Sequence, residues 1–319
     1  MTRLRVLECN GLLMPLRMTI SKLPETVPLL KKLHLGFVSL FKDATTIDTN
    51  LHFSDSVNRQ IISSPSDARI HCLSHLEHLT LCTGWQDHLS LTDLPKDLEA
   101  SSIKKLHITC PRQNVAFLTR YITPALISIL THLSLKIVYH SESPFEIPLQ
   151  YGISLQSLRI QAPRGGSNSQ PFRRHAHALP SLTEFGIYLH DDLYGLEADE
   201  DEDFFPAVCD FLRPKTAQLV HLELRAPTQK AAQDRLGFNG GKECWALLKG
   251  GARSGAADLL SKLESLSMTL PEGNKSFSLH YSKLIPKRVT RLSLSGYQLA
   301  DSSVKHIFRV VSIHFILYI

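Results

Sequence analysis

A six-residue phrase, apolar-x-x-apolar-x-apolar, recurs along this chain. Its first five copies are Leu4/Leu7/Cys9, Leu30/Leu33/Leu35, Leu76/Leu79/Leu81, Ile103/Leu106/Ile108 and Leu130/Leu133/Leu135. Five more follow: Leu155/Leu158/Ile160, Leu182/Phe185/Ile187, Leu219/Leu222/Leu224, Leu263/Leu266/Met268 and Val289/Leu292/Leu294. The fourth positions are residues 7, 33, 79, 106, 133, 158, 185, 222, 266 and 292, separated by 26, 46, 27, 27, 25, 27, 37, 44 and 26. Six of these nine gaps lie between 25 and 27, a regularity that chance placement of leucine does not give, so the chain is built from repeats. The long gaps mark insertions at about 41–72, 190–215 and 227–258, and the first has room for a degenerate unit.

The end of the phrase alternates apolar and polar, as a strand requires, so its fourth and sixth positions share one side. The first position fills the same layer from the preceding turn. One short strand cannot bury its apolar face alone, and neighbouring units must stack to share a continuous core. Each repeat leaves about twenty residues to return over the far side. Helical returns are expected at Asn114–Tyr121, Phe204–Leu212, Lys242–Leu248 and Ala256–Leu263, where apolar residues are spaced for one helix face. Ser141–Gln150 contains Pro144 and Pro148 and is expected to be extended or irregular. The tail Val310–Ile319 (VVSIHFILYI) breaks the pattern, and both ends of the chain read as cut.

The phrases Leu4-Arg-Val-Leu-Glu-Cys-Asn10 and Leu292-Ser-Leu-Ser-Gly-Tyr-Gln-Leu-Ala-Asp301 resemble the leucine-rich repeats of ribonuclease-inhibitor-like and F-box-associated proteins. Tyr297 and Ala300 stand where that pattern prefers Cys and Thr. The resemblance runs from Leu4 to about Phe308. It implies an α/β fold: a right-handed leucine-rich-repeat solenoid, or horseshoe, in one domain of about ten repeats. Parallel strands would line its concave face, with helices and irregular segments on the convex face. The resemblance implies non-catalytic protein recognition, as the substrate-recognition part of an F-box-type ubiquitin-ligase receptor. Leu23-Pro24-Glu25-Thr26-Val27 resembles the opening of an F-box, but Pro28 and the next repeat phrase leave no room for that helical module. An adaptor would then dock through a module upstream of this chain.

Residues flanking each fourth position are expected to face outward. The ladder of candidate partner-binding residues there comprises Lys32, His34, His78, Lys105, His107, His132, Arg159, Glu184, His221, Glu223 and Arg291. Neighbouring strands lie about 4.8 Å apart, which would let His78, His107 and His132 approach one another as a pH-sensitive or acid-binding patch. Tolerated polarity of a solvated face is the plainer reading of the same residues. A stripe of Lys32, Lys105 and Arg159 would favour an acidic protein partner.

Composition narrows the class. With 43% hydrophobic and 20% charged residues the chain is globular rather than disordered. Its net charge of +5 hides an uneven distribution: Asp191–Asp203 holds eight acidic residues, and without it 35 basic residues face 22 acidic, or +13. That acidic stretch reads as a solvated loop. Six scattered cysteines (Cys9, Cys72, Cys82, Cys110, Cys209, Cys244) form no CxxC pair, which favours free thiols and a cytoplasmic or nuclear setting. No signal core opens the chain, and the apolar run from Ile307 to Ile319 is too short to span a bilayer as a helix.

Chemistry of other kinds finds little support. Gly237–Lys242 (GFNGGK) resembles a phosphate loop but lacks its spacing, and neither GxSxG nor HExxH occurs, so no enzyme, cofactor or metal is expected. A zinc site among the ladder histidines would need a Cys or carboxylate at ligand spacing. The basic loop Arg164–His177, with Phe172 to stack a base, offers an RNA-binding alternative, with Arg173 and Arg174 as its phosphate contacts. A regulatory scaffold unrelated to ubiquitin is the other.

Overall fold

The computed structural model describes residues 3–12, 29–37, 75–82, 101–110, 122–137, 143–190, 201–227, 234–238, 260–269, 288–295 and 314–317, with a few isolated positions between them. The chain divides into two compact units, Met1–Ile103 and Lys104–Ile319. The first unit holds strands β1 (Val6–Leu12), β2 (Lys32–Phe37) and β3 (His78–Cys82), paired in parallel in chain order.

The second unit is larger and also parallel. Its strands, in spatial and chain order, are β4 (Lys105–Cys110), β5 (His132–Ile137), β6 (Ser157–Pro163), β7 (Glu184–His190), β8 (His221–Arg225), β9 (Ser265–Thr269), β10 (Arg291–Ser295) and β11 (His314–Leu317). Parallel neighbours need a crossover between them, which is what the returning twenty residues of each repeat supply. Four described α-helices lie on these returns: α1 (Pro124–Ile129), α2 (Glu146–Tyr151), α3 (Gln170–Arg174) and α4 (Phe204–Leu212).

The register explains why the repeat works. Leu106, Leu133, Leu158, Phe185, Leu222, Leu266 and Leu292 sit opposite one another across β4–β10, and all are buried. The sixth positions, from Ile108 to Leu294, form a second buried row. Between rows, one carbonyl per repeat receives two amides from the next. Lys104 O accepts from Thr131 N and His132 N, Thr131 O from Gln156 N and Ser157 N, and Gln156 O from Thr183 N and Glu184 N. The same arrangement continues through Val220 O and Glu264 O to Arg291 N. Threonine at the second phrase position adds a hydroxyl donor to that carbonyl, as Thr131 Oγ1 does to Lys104 O (3.1 Å) and Thr183 Oγ1 to Gln156 O (3.1 Å).

Several phrases also open on a tight turn that their letter pattern does not show. The first-position amide donates to the carbonyl three residues earlier: Leu30 to Val27, Leu130 to Ile127, Leu155 to Gly152, Leu182 to Leu179, Leu263 to Leu260. Val27, Ile127, Leu179 and Leu260 are themselves buried, so four of these turns add a further apolar anchor.

Two expectations for the returns and the tail need correction. Ser141–Gln150 is not irregular, because α2 occupies Glu146–Tyr151 with Pro148 inside it. Pro148 is the third helical residue, where the amide it lacks would have had no partner within the helix. The tail does not break the pattern either. Residues His314–Leu317 pair in parallel with β10, placing Phe315 opposite Leu292 and Leu317 opposite Leu294. Ser312 stands at the first position of that phrase, and its polarity hides the copy from an apolar search.

The helical reading of Phe204–Leu212 matches α4 residue for residue. Asn114–Tyr121 lies outside the described residues, as does most of Lys242–Leu248, of which Cys244 and Leu247 are helical and buried. Of Ala256–Leu263 only the turn at 260–263 is described. The stretch 41–72 also lies outside them, as does 228–233 within the third insertion. Among the described residues no helix is long and apolar enough to cross a membrane.

Behind the strands an aromatic layer ties the returns together. Phe172 of α3 packs against Phe145 (5.0 Å between centroids), Phe204 (5.7 Å) and Phe211 (5.6 Å), and Phe211 reaches Phe185 of β7 at 6.0 Å. These rings are fully buried and link three returns to the sheet.

Candidate functional site

Outward positions on β5–β10 form three rows. The first runs His132, Ser157, Glu184, His221, Ser265, Arg291. The second runs Ser134, Arg159, Gly186, Glu223, Ser267, Ser293. The third holds Lys136, Gln161, Tyr188 and Arg225 on β5–β8, and Thr269 and Ser295 on β9–β10. Long side chains stand on β6–β8, whereas β9 and β10 present mostly serines. That step in side-chain length opens a cleft of about 730 Å³, lined by Arg159, His221, Glu223, Arg225, Ser267 and Arg291 among others. Gly186 leaves room beside the cleft for the Arg159 stem, since a Cβ there would come within 3.2 Å of Arg159 Cγ.

Two carboxylates organise the polar groups. Glu184 accepts a hydrogen bond from Ser157 Oγ (2.9 Å) and one from Arg159 Nη2 (3.2 Å), with His221 Nε2 at 3.7 Å. Burial pushes the Glu184 carboxyl upward, but the Ser157 hydroxyl and the charges of His221, Arg159 and His132 outweigh it and hold it below the ordinary range. Glu223 pairs with Arg225 at 2.8 Å. Arg225 also donates to Ser267 Oγ (2.8 Å) and Ser293 Oγ (3.2 Å), and its guanidinium lies 5.8 Å from the centre of the Tyr188 ring. It therefore spans three strands as a fixed cation. Arg291 is exposed, and its guanidinium makes no hydrogen bond or ion pair with a described residue.

Burial lowers the pKa of His221, reinforced by Arg291 and Arg159 and opposed by Glu184 and Glu264. Burial also lowers that of His132, with Lys105 and Arg159 acting the same way and Glu184 against. Both rings are thus harder to protonate than a free histidine.

The expected ladder is brought together only in part. Arg159, His221, Glu223 and Arg291 line the cleft, and Glu184 supports it through Arg159. Lys32, His34 and His78 belong to the first unit, where Lys32 sits opposite His78 and His34 opposite Thr80. His107 and His132 do not share a row: Lys105 is opposite His132, and His107 is opposite Ser134, whose Oγ lies 2.8 Å from its Nδ1. A single histidine patch is therefore not formed by these two. Nor do Lys105 and Arg159 make one stripe, since they occupy different rows and Arg159 is paired to Glu184. Arg225 and Tyr188 were absent from the ladder because it stopped beside the fourth position. Continuing the strand alternation by two residues reaches both.

The basic loop Arg164–His177 is also rearranged. It folds as a 3-10 turn, Arg164–Gly166, followed by α3, and Phe172 points into the aromatic layer with 1% of its surface exposed. It cannot stack a base. Arg173 pairs with Asp203 (3.1 Å) and Arg174 with Glu146 (2.6 Å). The end of the acidic stretch is likewise engaged, with Asp201 accepting from Ser169 N (2.7 Å) and Asp203 N (2.9 Å).

Cys209 and Cys244 are buried thiols, with their sulfurs 3.6 Å apart. Gly237, first residue of the loop that resembles a phosphate cradle, has φ of 63° and abuts the Glu202 carbonyl, so it serves a turn against the entry to α4. Among the described residues no three His, Cys, Asp or Glu side chains group to hold a metal ion.

No family model matches the chain, and no curated protein matches it. A protein of Bacteroides fragilis with a solved crystal structure is similar at 12% identity and a TM-score of 0.46, over 90% of this chain and 74% of that one. A likeness that distant carries no argument about fold or function.

Proposed function

We propose that the repeats form a leucine-rich-repeat solenoid that recognises a partner protein through its outward strand face, with the cleft over β6–β10 as the centre of contact. The observation that carries this reading is the cleft itself, which is pre-formed, polar and walled by side chains already fixed by ion pairs. A surface held in place before binding loses little conformational entropy when a partner arrives. Its volume suits a few side chains rather than a whole domain, so flanking strands would supply the remaining contact. The concrete form to test is the substrate-binding part of an F-box-type ubiquitin-ligase receptor, because the repeat phrases resemble that class. A regulatory scaffold would use the same face without ligase adaptors.

The experiment is affinity purification with mass spectrometry, comparing the full chain with a variant carrying Ser267→Tyr and Ser293→Tyr, which fills the cleft from β9 and β10. Proteins recovered by the unchanged chain and lost from the variant would support recognition through this face. Ligase adaptors among proteins recovered by both would support the receptor form. Identical recovery of every protein by both chains would overturn the role of the cleft.

A further inference from the structure

We propose that the cleft seats one carboxylate side chain of the partner, an Asp or Glu in an otherwise uncharged peptide segment, held by Arg291 and the hydroxyls of Ser267 and Ser293. This rests on the protein-recognition reading and specifies what that surface would read.

The first argument concerns charge. Arg159, Arg225 and Arg291 bring three positive charges to the cleft, and Glu184 and Glu223 neutralise two of them through contacts of 3.2 and 2.8 Å. The balance is one positive charge, carried by Arg291, the exposed member with no ion pair to a described residue. One monoanion completes that balance. A polyanion such as RNA would set its phosphates beside Glu184 and Glu223, where like charges repel.

The second argument concerns protons. Ser267 Oγ and Ser293 Oγ each accept a hydrogen bond from Arg225. A hydroxyl that accepts from a guanidinium keeps its own proton to donate, and the cation strengthens that donation. The two serines occupy facing positions on adjacent strands, about 4.8 Å apart. The two oxygens of one carboxylate can span that interval, taking a proton from each serine while Arg291 supplies the charge. Arg225 thus acts as a positioning residue that orients the two hydroxyls. Its own place is secured by Glu223 and Tyr188.

The test is selection of a random linear peptide library displayed on phage against the immobilised full chain, in parallel with Arg291→Gln, Arg291→Glu and a Ser267→Ala/Ser293→Ala double variant. The unchanged chain is expected to enrich peptides with one acidic residue at a fixed position. Their synthetic copies should bind Arg291→Gln and the serine double variant at least roughly tenfold more weakly, the loss expected for charge-assisted hydrogen bonds. Arg291→Glu should reject them and select Lys or Arg at that position. The glutamine and alanine changes are mild and keep the test decisive if the charge reversal disturbs folding. Enriched peptides without a fixed acidic residue, or acidic peptides indifferent to Arg291→Gln, would overturn the inference. Retention of poly(U) RNA with steep salt dependence would overturn it in favour of nucleic acid. Failure to enrich any peptide would also overturn it, while the purification with the cleft-filled variant still reports separately on protein recognition.

Discussion

Lys215 carries a burial cost that two carbonyls and an aromatic ring offset. Its Nζ donates to Phe211 O (3.0 Å) and Ala176 O (3.1 Å) and lies 3.9 Å above the centre of the Phe211 ring. Burial lowers its pKa to about 8. The unfolded chain binds the proton more tightly than the folded one, so stability rises with pH between about 8 and the ordinary lysine value of about 10.4. Replacing Lys215 by Met should remove that rise: urea unfolding followed at several pH values across the interval would show a slope in the unchanged protein and a flatter one in Lys215→Met. Equal slopes would mean the ammonium is better solvated than its contacts imply. Nothing in the local letters Arg213-Pro-Lys215 signals a buried lysine, because the carbonyl of Ala176 comes from another repeat. The residues of the cleft divide the same way. Arg159, Glu223 and Arg291 follow from strand alternation, whereas the pairing of Arg159 with Glu184 and the reach of Arg225 to Ser267 and Ser293 depend on which strands lie next to them.

At the scale of elements, α3 and α4 show how much a return segment contributes. Helix α4 buries Phe204, Phe205, Ala207, Val208, Cys209, Phe211 and Leu212, a nearly all-apolar run that marks a helix covered on most sides. Its partner α3 is only five residues long and contributes one large ring, Phe172. Truncating that ring with Phe172→Ala should cost about 3–5 kcal/mol, because its three aromatic neighbours cannot all collapse into the space. A lowered midpoint of thermal unfolding would confirm it, and an unchanged midpoint would show that the layer repacks freely. The helix α4 was legible because its apolar residues fall on helical spacing and Pro206 sits in its first turn. The helix α2 was not, because two prolines in the stretch mask it, although Pro148 falls in its first turn, where the missing amide costs no hydrogen bond. The strand β11 was missed for a comparable reason, a single serine at the first phrase position.

For the larger unit as a molecule, the histidines set a pH dependence. His132 and His221 are both held neutral by burial, against the pull of Glu184 on each and of Glu264 on His221, and with the repulsion of Lys105, Arg159 and Arg291. Unfolded, they take up protons near the ordinary value of about 6.5, which the folded protein resists until lower pH. Stability present above that value is therefore lost as pH falls from about 6.5 through the folded pKa of each ring. A His132→Asn/His221→Asn variant should lose less stability than the unchanged protein between ~pH 7.5 and ~pH 5.5 in denaturant titrations. An equal loss in both would move the acid sensitivity elsewhere. Glu184 does not confuse this window, since its carboxyl is held below the usual carboxylate range and gives up its contribution only at more acid pH.

The sequence alone determined the repeat, the parallel strands at its phrases and which face of each strand is buried. Those follow from local alternation and a fixed period, and every copy states them again. Only the tertiary structure decided what the outward face became. The cleft exists because β9 and β10, which present serines, lie beside β8, whose Arg225 reaches over both. The basic loop lost its candidate stacking residue because Phe172 met rings from two other returns. Both outcomes join residues from different repeats, and the position of a letter along the chain does not say which repeat its side chain will touch.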